Sequence, residues 1–141
     1  MAALPPSKAW AMGADSSFDS DDAPDLAAVR AKIQSKDYGG ALADLRAMKP
    51  SADVYNLMGY SLRKSGDRAQ ALIYYEKALD IDPTHKQTLE YLGELYVEAG
   101  QGGKARETAD RLRKICPGGC EELSDLDRAI ANPPEAVHGQ W

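Results

Sequence analysis

Only two cysteines, Cys116 and Cys120, and two histidines, His85 and His138, occur in the 141 residues. Structural zinc takes four nitrogen or sulfur ligands, so a closed zinc site is not expected from so few donors. No apolar run approaches the roughly 18 residues that a membrane-crossing helix needs, and no membrane span is expected. No glycine loop of the phosphate-binding kind is present. No histidine pairs with a carboxylate at ligand spacing, and no nucleophile, base and oxyanion donor form a recognisable set. The chain is therefore expected to be no enzyme and to need no cofactor. Positive charge is also short, with 17 Lys and Arg against 22 Asp and Glu and a formal net charge of −5. The deficit sits at the front, where Lys8 stands against Asp15, Asp19, Asp21, Asp22 and Asp25. A nucleic-acid groove is disfavoured by that balance.

What is present is a period. Gly59 and Gly93, Gly66 and Gly100, Ala71 and Ala105, and Pro83 and Pro117 each lie 34 positions apart. Tyr55/Leu89, Met58/Leu92, Leu62/Tyr96, Tyr75/Ala109 and Ala78/Leu112 keep that register with apolar or small residues at both members. Small residues where two helices touch, with a proline where the second must stop, describe a stacked helix-turn-helix array. Gly59 and Gly93 allow close approach within a pair, assisted by Ala71, Ala78 and Ala105. The large residues Tyr55, Leu62, Tyr75, Leu92 and Tyr96 fill the space between pairs. With 43% hydrophobic residues, the chain has enough apolar surface for one core.

The segment Tyr55-Asn56-Leu57-Met58-Gly59-Tyr60, with Ser65-Gly66-Asp67, Ala71-Leu72, Tyr74-Tyr75 and Lys77 to Pro83, resembles a near-consensus tetratricopeptide repeat. The unit from Leu89 to Pro117 resembles it with departures: Ala109 replaces a large aromatic and Leu112 replaces alanine, which reads as a compensating size swap. The resemblance covers about residues 22 to 131. It implies an all-α, right-handed α-solenoid of about three helix-turn-helix pairs plus a C-terminal capping helix. Such arrays carry many unrelated roles, so fold alone does not assign one.

Punctuation sets the expected boundaries. Residues 1–24, with Pro5-Pro6 and the polar run from Asp15 to Asp22, read as a flexible acidic tail, and residues 132–141 as a second one. Between them the array spans 25–131, with repeats near 25–50, 52–85 and 86–119 and a cap over 120–131. In the degenerate first repeat, a helix carries Leu26, Val29 and Ile33. Asp37-Tyr38-Gly39-Gly40 then turns the chain into a second helix ending before Pro50. The cap puts Leu123, Leu126 and Ile130 on one face and its polar back towards water.

In the family, partners bind the concave surface made by the first helix of every pair. The residues left after core assignment place Arg30, Ile33 and Gln34 there, then Asp53, Asn56, Tyr60, Arg63 and Lys64, then Gln87, Glu90, Glu94, Val97 and Glu98. This is a charge gradient, basic at Arg30, Arg63 and Lys64 and acidic at Glu90, Glu94 and Glu98, which share one helical face. Some family members clamp a C-terminal carboxylate with basic residues. Asn56 and Lys64 suit that, but the three glutamates do not. A ligand with a basic portion towards the third pair fits better.

Cys116-Pro117-Gly118-Gly119-Cys120 falls where the last repeat ends, and a disulfide is the leading reading, since the proline and glycines can bend the sulfurs into range. A soft monovalent copper site, redox exchange and free thiols remain alternatives. The Cys-Pro-Gly-Gly-Cys-Glu-Glu stretch resembles small exported bacterial members of the family. It implies a periplasmic location with a signal segment absent from this chain; a cytoplasmic location is the alternative, because Met1-Ala2-Ala3-Leu4 leads straight to Pro5-Pro6. The expected function is a non-enzymatic scaffold that binds a protein or peptide in its groove, in assembly or maturation of an exported complex. A thiol or metal-handling accessory acting through Cys116 and Cys120 is the second reading, and homo-oligomeric self-assembly the third.

Overall fold

A computed structural model describes residues 25–134. The tail expected at 1–24 and, apart from residues 132–134, the one expected at 132–141 lie outside the described residues. Seven helices follow one another within them: α1 Ala27–Gln34, α2 Tyr38–Arg46, α3 Ala52–Lys64, α4 Arg68–Ile81, α5 Lys86–Glu98, α6 Gly102–Ile115 and α7 Glu121–Ala131. They pair as hairpins, α1 with α2, α3 with α4 and α5 with α6, and α7 packs on both α5 and α6. The result is an α-solenoid of helical hairpins closed by one further helix.

Each hairpin is built from the same local parts. Ser51 and His85, 34 positions apart, cap the first helices of the second and third pairs: Ser51 Oγ accepts from Val54 N at 3.1 Å and His85 Nδ1 from Thr88 N at 3.2 Å. These contacts satisfy amides that the helix leaves without partners at its start. Each first helix ends in a turn whose amides bond back to carbonyls of the last helical turn. Gly66 N donates to Arg63 O and Asp67 N to Leu62 O; Gly100 N donates to Val97 O and Gln101 N to Tyr96 O. That closure needs a positive φ, supplied by Gly66 (97°) and Gly100 (77°).

The first pair departs from the expected boundaries. Its turn is at Ser35-Lys36, not at Asp37 to Gly40, because Asp37 caps α2 by accepting from Gly40 N at 2.9 Å. Tyr38, Gly39 and Gly40 are therefore the first turn of a helix. Lys36 occupies the position that glycine holds in the later pairs, with φ 65°. α1 and α2 have 8 and 9 residues, against 13 and 14 in each later pair.

Two apolar clusters form the core. The larger joins Val29, Leu42, Leu45, Val54, Leu57, Leu62, Tyr75, Leu92 and Leu95 across the first three pairs. The smaller joins Leu89, Ala109, Leu112, Leu123 and Leu126 beneath α7. Gly59 and Gly93 show how they differ. A Cβ on Gly59 would stand 2.6 Å from the ring of Tyr75, whereas one on Gly93 would stand 2.5 Å from Leu126 Cδ2. Tyr75 lies one repeat before Ala109, so the exchange of aromatic for alanine is made good by Leu126 of α7 as well as by Leu112. The cap occupies space that the second repeat fills from within, which is why Leu126 is fully buried.

Candidate functional site

The concave side is formed by α1, α3 and α5. Arg30, Ile33 and Gln34 of α1, Leu57 and Tyr60 of α3 and Tyr91 of α5 line a cleft of about 160 Å³. Leu57 and Tyr91 were not among the expected groove residues, yet they are repeat equivalents, 34 apart, and each directly follows one that was. Their signal was in the register. The Tyr60 and Tyr91 rings meet at 4.7 Å between centroids.

Along the α3–α5 seam a ladder of polar and aromatic contacts recurs at nearly every turn. Asp53 Oδ1 meets His85 Nε2 at 2.7 Å, Asn56 Nδ2 donates to Gln87 Oε1 at 2.8 Å, and Tyr60 packs against Tyr91 with the rings tilted by 48°. At the far end Arg63 Nη2 donates to Glu94 Oε1 at 3.0 Å and Nη1 to Glu98 Oε2 at 2.5 Å. Arg63 Nε also donates to the Tyr75 hydroxyl at 3.4 Å, and the guanidinium lies 5.5 Å from the Tyr60 ring centre and 5.8 Å from that of Tyr91.

This arrangement corrects the expected charge gradient. Arg63 is not a groove charge awaiting a ligand, since its side chain is 3% exposed and two carboxylates already neutralise it. Burial works against its charged form, but the Tyr75 hydroxyl, Glu98 and Glu94 outweigh it and hold the guanidinium protonated. Burial raises the Tyr75 phenol despite Arg63. Asn56 is fully buried, and its Oδ1 has no hydrogen-bond partner among the described residues. Lys64 is exposed, with Nζ 5.7 Å from the Tyr60 ring centre. Arg30 is exposed at the cleft rim. Val97 does not join this face: it lines a separate cavity of about 290 Å³ with Gly100, Gly102, Arg106, Ile130 and Pro133, below the end of α7.

Glu90 is the exceptional group of the acidic helix. It is 9% exposed and makes no ion pair among the described residues. Burial, then Glu94, Asp125 and Glu122, push its carboxyl up to about 8. Burial, with Glu90 next, likewise raises the Tyr91 phenol to about 12. Asp125 and Glu122 belong to α7, so the cap adds negative charge to the site. The sequence reading treated α7 as a lid alone, and nothing in its own pattern says which of its acids meet α5.

Cys116 and Cys120 stand at the end of α6 and the start of α7, with sulfurs 2.10 Å and Cα atoms 6.0 Å apart. The pair joins the last repeat to the cap. Among the described residues no group of three or more His, Cys, Asp and Glu side chains is placed to hold a metal ion, and no helix is long and apolar enough to cross a membrane.

Paired antiparallel helices with small residues at their contacts, stacked in one register and ended by a lone amphipathic helix, define a helical-repeat protein. Residues 62–131 match the tetratricopeptide repeat family, and with the observed hairpins this makes the chain a tetratricopeptide-repeat protein. It is also similar to a probable biofilm formation methyltransferase, WspC, of Pseudomonas putida. The two are 39% identical over 65 residues, 46% of this chain. The chain spans only about 15% of that protein's length, and the shared stretch is just short of two repeats.

Proposed function

We propose that this protein is a non-enzymatic interaction scaffold that seats an extended segment of a partner protein across the first helices of its three hairpins. The observation that carries this reading is the cleft to which α1, α3 and α5 each contribute side chains. Two adjoining tyrosines give it large, stiff contact area, while Arg30 and Gln34 offer hydrogen bonds at its edge; such a combination favours binding over chemistry. The similarity to WspC fits a repeat module used beside other domains, and it carries no methyl-transfer role to these residues.

The test is capture of partners from the native extract with the intact chain, with Tyr60→Ala in the cleft, and with Glu76→Lys/Glu107→Lys on the opposite side. Loss with the first variant and retention with the second is the expected result; equal capture by all three would remove the cleft from consideration.

The cysteine pair supports a periplasmic or otherwise oxidising location and a role in assembly or maturation of an exported complex, because disulfides persist in such compartments. Protein isolated from its native compartment without reductant should show no free thiol even when denatured. Two titratable thiols would instead favour a cytoplasmic location or the thiol-handling role.

A further inference from the structure

On the convex side, the second helices of the first two pairs do not match in length. α2 and α4 both start at an aspartate cap, Asp37 and Asp67, but α2 has 9 residues and α4 has 14, so α4 runs on where α2 has stopped. At that step Arg46 and Met48 from the end of the first pair, Tyr55 and Met58 of α3 and Tyr74 and Lys77 of α4 line a cavity of about 180 Å³. Its rim is basic. Lys77 Nζ stands 4.9 Å from the Tyr74 ring centre and 5.6 Å from that of Tyr55, which holds an ammonium at the mouth. Arg46, Lys49 and Lys77 are exposed, and none of them makes an ion pair among the described residues. An apolar hollow with three cations at its edge suits an occupant that is apolar at one residue and acidic at its neighbours.

We infer that this cavity seats the chain's own acidic segment at residues 18–22, with the Phe18 ring inside and Asp19, Asp21 and Asp22 against Arg46, Lys49 and Lys77. This goes beyond the scaffold reading and does not rest on it. Size, charge and reach single out the occupant. A cavity of about 150 Å³ accepts benzene, so this one takes a phenyl ring, and Phe18 is the one phenylalanine in the chain. The run Phe18-Asp19-Ser20-Asp21-Asp22 sets three carboxylates beside that ring, whereas Trp10 has Lys8 near it and no acid before Asp15. From Phe18 to Asp25 is seven residues, which extend to roughly 23–25 Å. α1 and α2 form an antiparallel hairpin, so the chain enters α1 at the end where α2 stops, and Leu26 and Met48 pack on the same core cluster. Seated there, the segment covers an edge of the first pair as α7 covers the third, and it leaves the concave cleft to the partner.

The full chain is prepared with protonated phenylalanine and methyl-labelled methionine in an otherwise deuterated background, so that one phenyl ring and four methyl groups are observed. Nuclear Overhauser contacts from the Phe18 ring to the Met48 and Met58 methyls are expected, with ring-current shifts of both that disappear in Phe18→Ala. Arg46→Glu/Lys77→Glu changes two exposed positions and should cut the docked population at least about tenfold, because like charges then face one another. Asp19→Asn/Asp21→Asn/Asp22→Asn leaves residues 25–134 untouched and should also weaken the contacts, so their loss is not unfolding. A Phe18 ring that meets neither methyl, or contacts of parental strength in both charge variants, would overturn the inference. Contacts between separately labelled chains in a mixed sample would overturn it as well, since they would put the segment on a second copy.

Discussion

Replacing Arg63 with methionine keeps a long apolar stem in α3 and removes the charge and its donors. The side chain is 3% exposed, and its carboxylate partners Glu94 and Glu98 are 23% and 30% exposed. Breaking a fully buried ion pair costs roughly 3–5 kcal/mol. Here the acids can turn to water, so their share falls to about 1–2 kcal/mol. The Tyr75 hydroxyl sits in a fully buried residue and has Arg63 as its hydrogen-bond partner. Stranding it adds about 1–2 kcal/mol. A total loss of about 3 kcal/mol is expected, on the order of 10–20 °C in Tm for an array of this size.

Urea unfolding followed by circular dichroism measures the loss. The partner variant Arg63→Met/Glu94→Gln/Glu98→Gln should recover much of it, because replacing a whole buried ion pair by neutral groups is often close to neutral. A single-variant loss below about 1 kcal/mol, or no recovery in the triple variant, would show that the cluster is not holding the second and third pairs together. The same geometry bears on the acidic face of α5. Reversing Glu90, Glu94 and Glu98 to lysine, which looks harmless for a solvated helix face, would place two cations against buried Arg63 and should unfold the array.

Two further outcomes follow from the turns and the cap. Lys36→Gly should raise stability by roughly 0.5–1 kcal/mol, since Lys36 holds φ 65° where Gly66 and Gly100 serve the later pairs; a destabilised variant in the same urea assay would refute this. Gly93→Ala should cost about 1–2 kcal/mol net, as the clash with Leu126 exceeds the gain in helix propensity. Its mark should be faster amide exchange over residues 121–131, and unchanged exchange there would show that α7 is not seated on Gly93.

The fold was legible because its information is local and repeated. Glycine at the helix contacts and turns, and proline after the second helices, fix where helices start, touch and stop, and the 34-residue register says which residues correspond. Legibility failed where one repeat lacked a marker. Lys36 hides the first turn because its positive φ has no residue preference to announce it, and Asp37 and the glycines after it look like a turn while acting as a cap and first helical turn. Four of the six residues that line the cleft, Arg30, Ile33, Gln34 and Tyr60, were named, since they are among what remains when core positions are removed. Their roles were not, because a side chain assigned to a face by elimination carries no statement of what it meets. Arg63, Glu94 and Glu98 read as three free charges until the inter-helix distance is known.

That distinction bears on how the groove keeps its shape. Apolar burial between successive hairpins is strong but non-directional, so it presses α3 towards α5 without fixing their offset. The contacts from Asp53–His85 through Asn56–Gln87 and Tyr60–Tyr91 to Arg63 with Glu94 and Glu98 run the length of the two helices. Each has a narrow range of workable geometry. A slide of one helix along the other would break them together, which makes the offset, and with it the spacing of Tyr60 from Tyr91, a cooperative property of the seam. Residues that sequence alone would assign to the ligand thus hold the groove's frame. The chemistry left for a partner is what the ladder does not use: the exposed rim at Arg30 and Gln34, beside the cleft that Leu57, Tyr60 and Tyr91 line.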